Sequence, residues 1–411
     1  MMKKTIALLG ILLAVVITGS IFFVWQQNQG TNETTLETTS TERSTESSTE
    51  TSSSQTSTSS QTTSETSTTT SQSTTEPSKP IANRVEQMTI EEKVGQLFLA
   101  RYPGENAVAD SETYHLGGYL LFGADFENET AESLTNKIQQ LQADKEIPLF
   151  IGADEEGGTV TRISRNPNLV ESPFQSPQQV YQNSGWDGIA NDTKQKAEIL
   201  SSYGIQLGLF PVADVATNPN AFIYDRTIGL DAQGTSTFVE TVVNSLKDTG
   251  VASTLKHFPG YGNNLDSHVE IVYDNRSIEE LRQNDFLPFK AGIAAGVDSI
   301  LVSHNIISSI DSNAPASISN SVHQVLRDEL GFEGVVMTDD MDMAGLADFI
   351  SQEAAGLAAL KAGNDLVLSS SYASQIPTVI EAVKSGEYSE DALDASVMRI
   401  LKLKERLGMI E

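Results

Sequence analysis

The densest concentration of reactive side chains in the sequence is Lys256-His257-Phe258-Pro259-Gly260-Tyr261-Gly262-Asn263-Asn264-Leu265-Asp266-Ser267-His268, directly after the apolar run Val251 to Leu255. It holds two of the chain's five histidines together with a lysine and a carboxylate. Each buried charge needs a partner, so a strand end filled only for packing would not carry this set, and the stretch reads as a site. Asp266 stands two residues before His268. On an extended loop the two share a face, so the carboxylate can bond one ring nitrogen and leave the other to reach a substrate. That arrangement suits proton transfer near neutral pH. The plainer reading is an Asx or Ser turn beside a surface histidine. Lys256 and His257 suit clamping of hydroxyls, while a Schiff base on Lys256 is the alternative use that spacing does not separate.

A second chemical stretch is Gly334-Val335-Val336-Met337-Thr338-Asp339-Asp340, a buried-strand pattern ending in two carboxylates. Alternation points one of them into a site and the other away, and Asp339 is the candidate reacting group. The competing role for this pair is to cap the next helix. Asp154-Glu155-Glu156-Gly157-Gly158, Asp214 and Arg226 add further charge, Arg226 being either a substrate ligand or half of a surface pair with Asp225. His304 reads as a supporting residue at the rim, and His115 and His323 as structural. No His-x-His or His-x-x-x-His spacing occurs, which disfavours a metal centre, and no cofactor is implied.

These residues need a scaffold that brings them to one place. Apolar runs fall at 96–100, 118–122, 149–153, 206–211, 252–256, 299–303, 334–338 and 365–368. Amphipathic helical patterns lie between them, at 131–144, 193–203, 235–248, 278–295 and 319–330, and a last one covers 389–407 with a Lys/Arg-rich final turn. Eight strands alternating with helices read as an α/β parallel (β/α)8 TIM barrel, with a doubly wound open sheet as the alternative. The polar residues above all follow predicted strands, and a closed barrel gathers such residues on one rim.

The chain has 411 residues and a net charge of -29, which argues against a nucleic-acid partner because a polyanion would be repelled. With no cysteine, thiolate catalysis, disulfides and Cys-ligated metals are excluded. Residues 1–30 contain a basic start, Lys3 and Lys4, followed by an uncharged apolar run from Thr5 to Trp25. That run has the length of a membrane span, so an uncleaved anchor is expected in preference to a cleaved signal, with the bulk of the chain exported. Residues 31–80 are rich in Ser, Thr and Glu and cannot bury enough apolar surface to offset ordering entropy, so a disordered spacer is expected there. Fully extended, about fifty residues reach roughly 150 Å. Residues 81–411 form the expected catalytic domain.

Taken together, Lys-His-Phe-Pro-Gly at 256–260 with Asp-Ser-His at 266–268, Asp154-x-Glu156-Gly157-Gly158, Pro211-Val212-x-Asp214-Val215 and Thr338-Asp339 resemble the β-N-acetylglucosaminidases of glycoside hydrolase family 3. The resemblance runs from Met88 to Met409 and implies a (β/α)8 barrel that releases terminal β-linked N-acetylglucosamine from peptidoglycan fragments or chitooligosaccharides. It implies Asp339 as nucleophile, His268 as acid/base with Asp266 as its partner, and Asp154, Arg226, Lys256 and His257 as sugar-binding residues. Tyr261 stands where the motif commonly has His, and the stretch between Gly262 and Asp266 is one residue short. The expected partners are a carbohydrate and, through the N-terminus, a membrane; a monomer is expected. Phosphorolysis in place of hydrolysis, and a non-catalytic wall-binding role, are the alternative functions.

Overall fold

The computed structural model describes residues 79–264 and 271–411. The expected membrane segment 1–30, residues 31–78 of the expected spacer, and both Asp266 and His268 lie outside the described residues. Among the described residues no helix is long and apolar enough to cross a membrane.

In chain order the strands are β1 (Phe98–Arg101), β2 (Gly118–Leu121), β3 (Phe150–Ala153), β4 (Glu155–Gly157), β5 (Val160–Thr161), β6 (Leu207–Gly208), β7 (Thr254–Phe258), β8 (Tyr273–Asp274), β9 (Ser299–Val302), β10 (Ile306–Ile307), β11 (Val335–Thr338) and β12 (Val367–Ser369). Each of the eight apolar runs picked out in the sequence carries one of these strands. Two parallel sheets form the core, ordered β12-β1-β2-β3-β6 and β11-β9-β7. Parallel bridges join them at both edges: Leu207 meets Ala252 beside β6 and β7, and Met337 meets Leu366 beside β11 and β12. Every residue of β2, β3, β7, β9 and β11 is buried. Strands covered on both faces read as continuous apolar runs, which is why they stand out in the sequence. Because the core pairs are all parallel, the C-terminal ends of these strands share one side of the molecule, and the polar residues that follow them share it too.

Helices cover the sheets with narrow apolar stripes. Leu134, Ile138 and Leu141 form the buried face of Ala131–Gln142, and Phe238, Val239, Val242, Val243 and Leu246 that of Ala232–Leu246. Their starts follow local chemistry: Thr130 and Ser133 make a reciprocal cap, and the Asp231 side chain accepts from the Gly234 N–H.

Three expected helices differ in extent. The helix over 193–203 begins earlier, at Pro177, because Ser176 and Gln179 form a capping box with proline in the first turn; it is bent at Gly185, whose φ is 62°. The helix over 278–295 is two, Ile278–Gln283 and Phe286–Ala295, broken at Asn284. Pro288 falls in the first turn of the second piece, where its missing N–H costs no helical bond. The helix over 319–330 is Asn320–Gln324 followed by a wider turn at Val325–Glu329.

Candidate active site

Immediately after β3, the chain places Asp154 and then turns through the β4–β5 hairpin, which buries Glu155 and Glu156. Lys256, on β7, reaches both walls of this turn: its Nζ lies 2.6 Å from Asp154 Oδ1 and 2.6 Å from Glu156 Oε1. The pairing register between β7 and β9 shifts between Leu255 and Phe258, so Lys256 and His257 sit at an irregularity that breaks strict alternation. Arg226 closes the other side of Glu156 with two bonds, Nη2 to Oε1 at 2.8 Å and Nε to Oε2 at 3.0 Å. This fork places the guanidinium on a carboxylate 70 residues away in the chain rather than on its neighbour Asp225.

Burial alone would raise the Glu156 carboxyl, but Arg226 and Lys256 outweigh it and hold the group well below the usual carboxylate range. Burial alone would likewise lower Arg226, and Glu156 drives it upward instead. Lys256 Nζ is occupied by two carboxylates, Asp154 and Glu156, an arrangement suited to donating hydrogen bonds rather than to forming a Schiff base.

His257 continues the chain of contacts. Its Nε2 lies 3.2 Å from Arg226 Nη2 and its Nδ1 2.7 Å from Asp214 Oδ2. A guanidinium can only donate, so Nε2 accepts and Nδ1 carries the proton given to Asp214. Asp214 is fully buried and also accepts from the main-chain N–H of His257 at 3.1 Å and of Tyr261 at 2.6 Å. The Tyr261 ring, itself fully buried, meets His257 and Phe222 edge-on, with centroids 5.0 Å apart in both cases. The tyrosine at the position where histidine is common thus packs behind the site.

Asp339 follows β11 at the same end of the sheets. Its N–H donates to Val302 O at 2.9 Å, and its Oδ1 accepts from the Asp340 N–H at 2.9 Å. His304 stands behind this corner: Nδ1 is 2.7 Å from Ser317 Oγ, and Nε2 is 2.9 Å from the Asp340 carbonyl oxygen. Since the carbonyl can only accept, Nε2 carries the proton, and His304 steadies the peptide next to Asp339. Burial, with Asp342 and Asp339 nearby, pushes the Asp340 carboxyl up to about 6.

The segment leading to Asp266 and His268 is tied down at its base by Arg276. Its guanidinium donates to Gly260 O at 2.7 Å, to Asp285 Oδ1 at 2.8 Å and to Asp274 Oδ2 at 2.6 Å. Gly262, at φ 57°, leaves the space this requires, because a Cβ there would lie 2.4 Å from Arg276 Nη1. Asp285 is pushed up to about 6 by burial, against the pull of Arg276.

Asp154, Arg226, Lys256 and His257 are therefore brought together in one hydrogen-bonded set, with Asp339 at the same ends of the sheets. Glu156 and Asp214, which the sequence places among the polar residues after the strands without giving them a role, complete the arrangement together with Arg162 and Arg276, which it does not pick out; Arg162 Nη2 lies 3.2 Å from Asp154 Oδ2. Glu156 and Asp214 do fall inside the sequence motifs, and that is the signal that could have found them. The result is a floor of fixed donors and acceptors, charge-compensated and buried, able to hold several hydroxyl or amide groups in one orientation beside a carboxylate.

The chain matches the Glycosyl hydrolase family 3 N terminal domain over residues 89–403. It is 32% identical over 304 residues to a Beta-hexosaminidase from Stenotrophomonas maltophilia (strain K279a), covering 72% of this chain and 84% of that protein. It is 30% identical over 323 residues to Beta-hexosaminidase A from Pseudoalteromonas piscicida, covering 72% of this chain but spanning only 54% of that longer protein. Among solved structures, a glycoside hydrolase family 3 beta-N-acetylglucosaminidase from Paenibacillus sp. str. FPU-7 superposes with a TM-score of 0.74 at 30% identity, over 78% of this chain and 63% of that one.

Proposed function

The chain belongs to glycoside hydrolase family 3, and from that premise we propose that it is an exo-acting, retaining β-N-acetylglucosaminidase that removes terminal β-linked N-acetylglucosamine from cell-wall fragments or related oligosaccharides. The observation that carries this reading is the buried set Asp154–Lys256–Glu156–Arg226–His257–Asp214 on the same side as Asp339. It is suited to gripping one small polar ring and presenting it to a carboxylate. We further propose that the two sheets close as a (β/α)8 barrel; the parallel bridges at both sheet edges support this.

Asp154, Arg226, Lys256 and His257 hold the sugar. The Asp339 carboxylate attacks the anomeric carbon while the imidazole of His268, oriented by Asp266, gives its proton to the departing oxygen. The glycosyl ester on Asp339 is then hydrolysed by water, whose proton passes to His268, releasing free sugar and restoring both groups. A neutral imidazole approaches an anionic partner with less repulsion than a second carboxylate would. Residues 1–30 serve as a membrane anchor and the Ser/Thr-rich stretch as a spacer, which places a monomeric catalytic domain outside the cell facing the wall.

The test is hydrolysis of 4-nitrophenyl β-N-acetylglucosaminide. The wild-type protein is expected to turn it over with the anomeric configuration kept in the first-formed sugar, and Asp339→Ala to lose about 10³-fold or more in kcat. Full activity in Asp339→Ala, or inversion at the anomeric carbon, defeats the assignment.

A further inference from the structure

The helix Pro177–Ser202 buries Ile189, Thr193, Ala197 and Leu200 on one face, and Lys196 belongs to that face, only 4% exposed. Covering a sheet calls for an apolar side chain at such a position, and a buried Nζ needs partners. It has them on two sides. Asp192, one turn earlier in the helix, lies 2.7 Å from Nζ, and the main-chain oxygen of Glu156 accepts from Nζ at 2.9 Å. The rings of Phe174 and Phe210 flank it, with centroids 5.3 Å and 5.9 Å away.

What Nζ holds is the peptide of the residue on which the charged floor is built. Glu156 falls in the register shift between β4 and β5, where a residue left out of the ladder has no opposite strand to fix its peptide. A Cβ on Gly157, the next residue, would lie 3.3 Å from Nζ, so the amine sits directly against this turn. The side chain of Glu156 meets Lys256 at 2.6 Å and Arg226 at 2.8 Å. Lys196, Asp192, Glu156 and Arg226 also line one cavity of about 20 Å³, so the space freed by losing Nζ adjoins the Arg226 fork.

We propose that Lys196 is a positioning residue for the sugar-binding floor: acting from the helix, it fixes the Glu156 peptide and, through it, the carboxylate that orients Lys256 and Arg226 toward the sugar. This rests on the glycosidase reading above. Exchanging a buried ion pair for apolar side chains is often neutral for stability, so an apolar pair at 192 and 196 would cover the helix face as well. The hydrogen bond to the Glu156 oxygen is the part that such a pair cannot supply.

The experiment is steady-state hydrolysis of 4-nitrophenyl β-N-acetylglucosaminide by the wild type, by Lys196→Met and by the double variant Asp192→Leu/Lys196→Leu. Loss of folded enzyme lowers the apparent kcat and leaves KM alone, so a purely structural role does not move KM. In both variants KM is expected to rise about tenfold with kcat within about threefold of the wild type, and the inhibition constant of free N-acetylglucosamine to rise in parallel. Thermal unfolding of the double variant should stay near that of the wild type, since no buried partner is stranded. A KM within about twofold of the wild type in the double variant overturns the inference, even where Lys196→Met alone is impaired, because the fault then lies in the stranded Asp192 carboxylate. Should the double variant not fold, KM of Lys196→Met below its unfolding temperature decides by the same limit. Either result leaves the glycosidase reading intact. A wild-type protein that does not hydrolyse the substrate overturns that reading, and this inference with it.

Discussion

Glu156 sits between two cations, with its side chain 1% exposed. Replacing it by Gln keeps the shape but leaves Lys256 with Asp154 alone and deprives Arg226 of its carboxylate. Breaking a buried pair by removing one partner costs about 3–5 kcal/mol, so Glu156→Gln should lower the unfolding free energy by roughly 3 kcal/mol at pH 7. Its carboxyl is held below its ordinary value in the folded state. The stabilisation is therefore present above the unfolded value and lost as pH falls through the depressed folded one. Urea unfolding at pH 7 and at pH 3.5 checks this: the gap between wild type and variant should narrow at the lower pH, and an equal gap refutes it. Asp340 has the opposite sign. Raised to about 6, it favours the protonated folded form, a contribution complete below its unfolded value and lost as pH rises through 6. Asp340→Asn, which can still accept the Asp342 N–H, should be more stable than wild type by about 1–2 kcal/mol at pH 8 and lose that advantage near pH 4. Chemical type was legible in the sequence at this scale, since Lys256, His257, Asp154 and Asp339 all follow apolar runs. Partnership was not: Arg226 has Asp225 beside it in sequence but bonds Glu156 in space, a choice made by the β4–β5 turn that no local pattern encodes.

At the scale of elements, the base of the loop after β7 depends on one side chain. Arg276 donates to Gly260 O and to two carboxylates, Asp274 and Asp285, whose side chains are both 0% exposed. Arg276→Met strands two buried carboxylates, and thermal unfolding should show a loss of about 3 kcal/mol or more. Arg276→Lys keeps the charge but cannot reproduce the planar fork, so it should recover only part of that loss. A loss under about 1 kcal/mol in Arg276→Met would show that the loop is anchored elsewhere. The strands themselves were easy to read because both of their faces are covered, so their apolar runs are uninterrupted. Helix ends were harder. The break at Asn284 and the wider turn at Val325–Glu329 lie inside continuous amphipathic patterns, where the period persists although the backbone ladder does not.

Across the whole molecule, the last helix, Glu390–Arg406, returns the chain to its first strands. The sequence presents its final turn as Lys- and Arg-rich, the pattern of cations complementing a helix C-terminus in water. Lys404 does otherwise. It is fully buried, donates to Gln96 Oε1 at 2.8 Å and to Gly117 O at 3.1 Å, and lies 4.8 Å from the centre of the Phe150 ring. These partners precede β1 and β2 and open β3, so one side-chain amine ties the last helix to the N-terminal side of three strands, opposite the candidate site. Burial pushes it down to about 7. Between that value and the ordinary lysine range the unfolded chain binds the extra proton and the folded chain does not, so this group makes stability rise as pH increases from about 7 to 10. Lys404→Met removes the titration. Chemical unfolding of both proteins at pH 7, 8.5 and 10 should show the wild type gaining at least about 2 kcal/mol relative to the variant over that range. Parallel stability curves would mean that Lys404 keeps its proton in the folded state, its two acceptors and the Phe150 ring then compensating the charge in full.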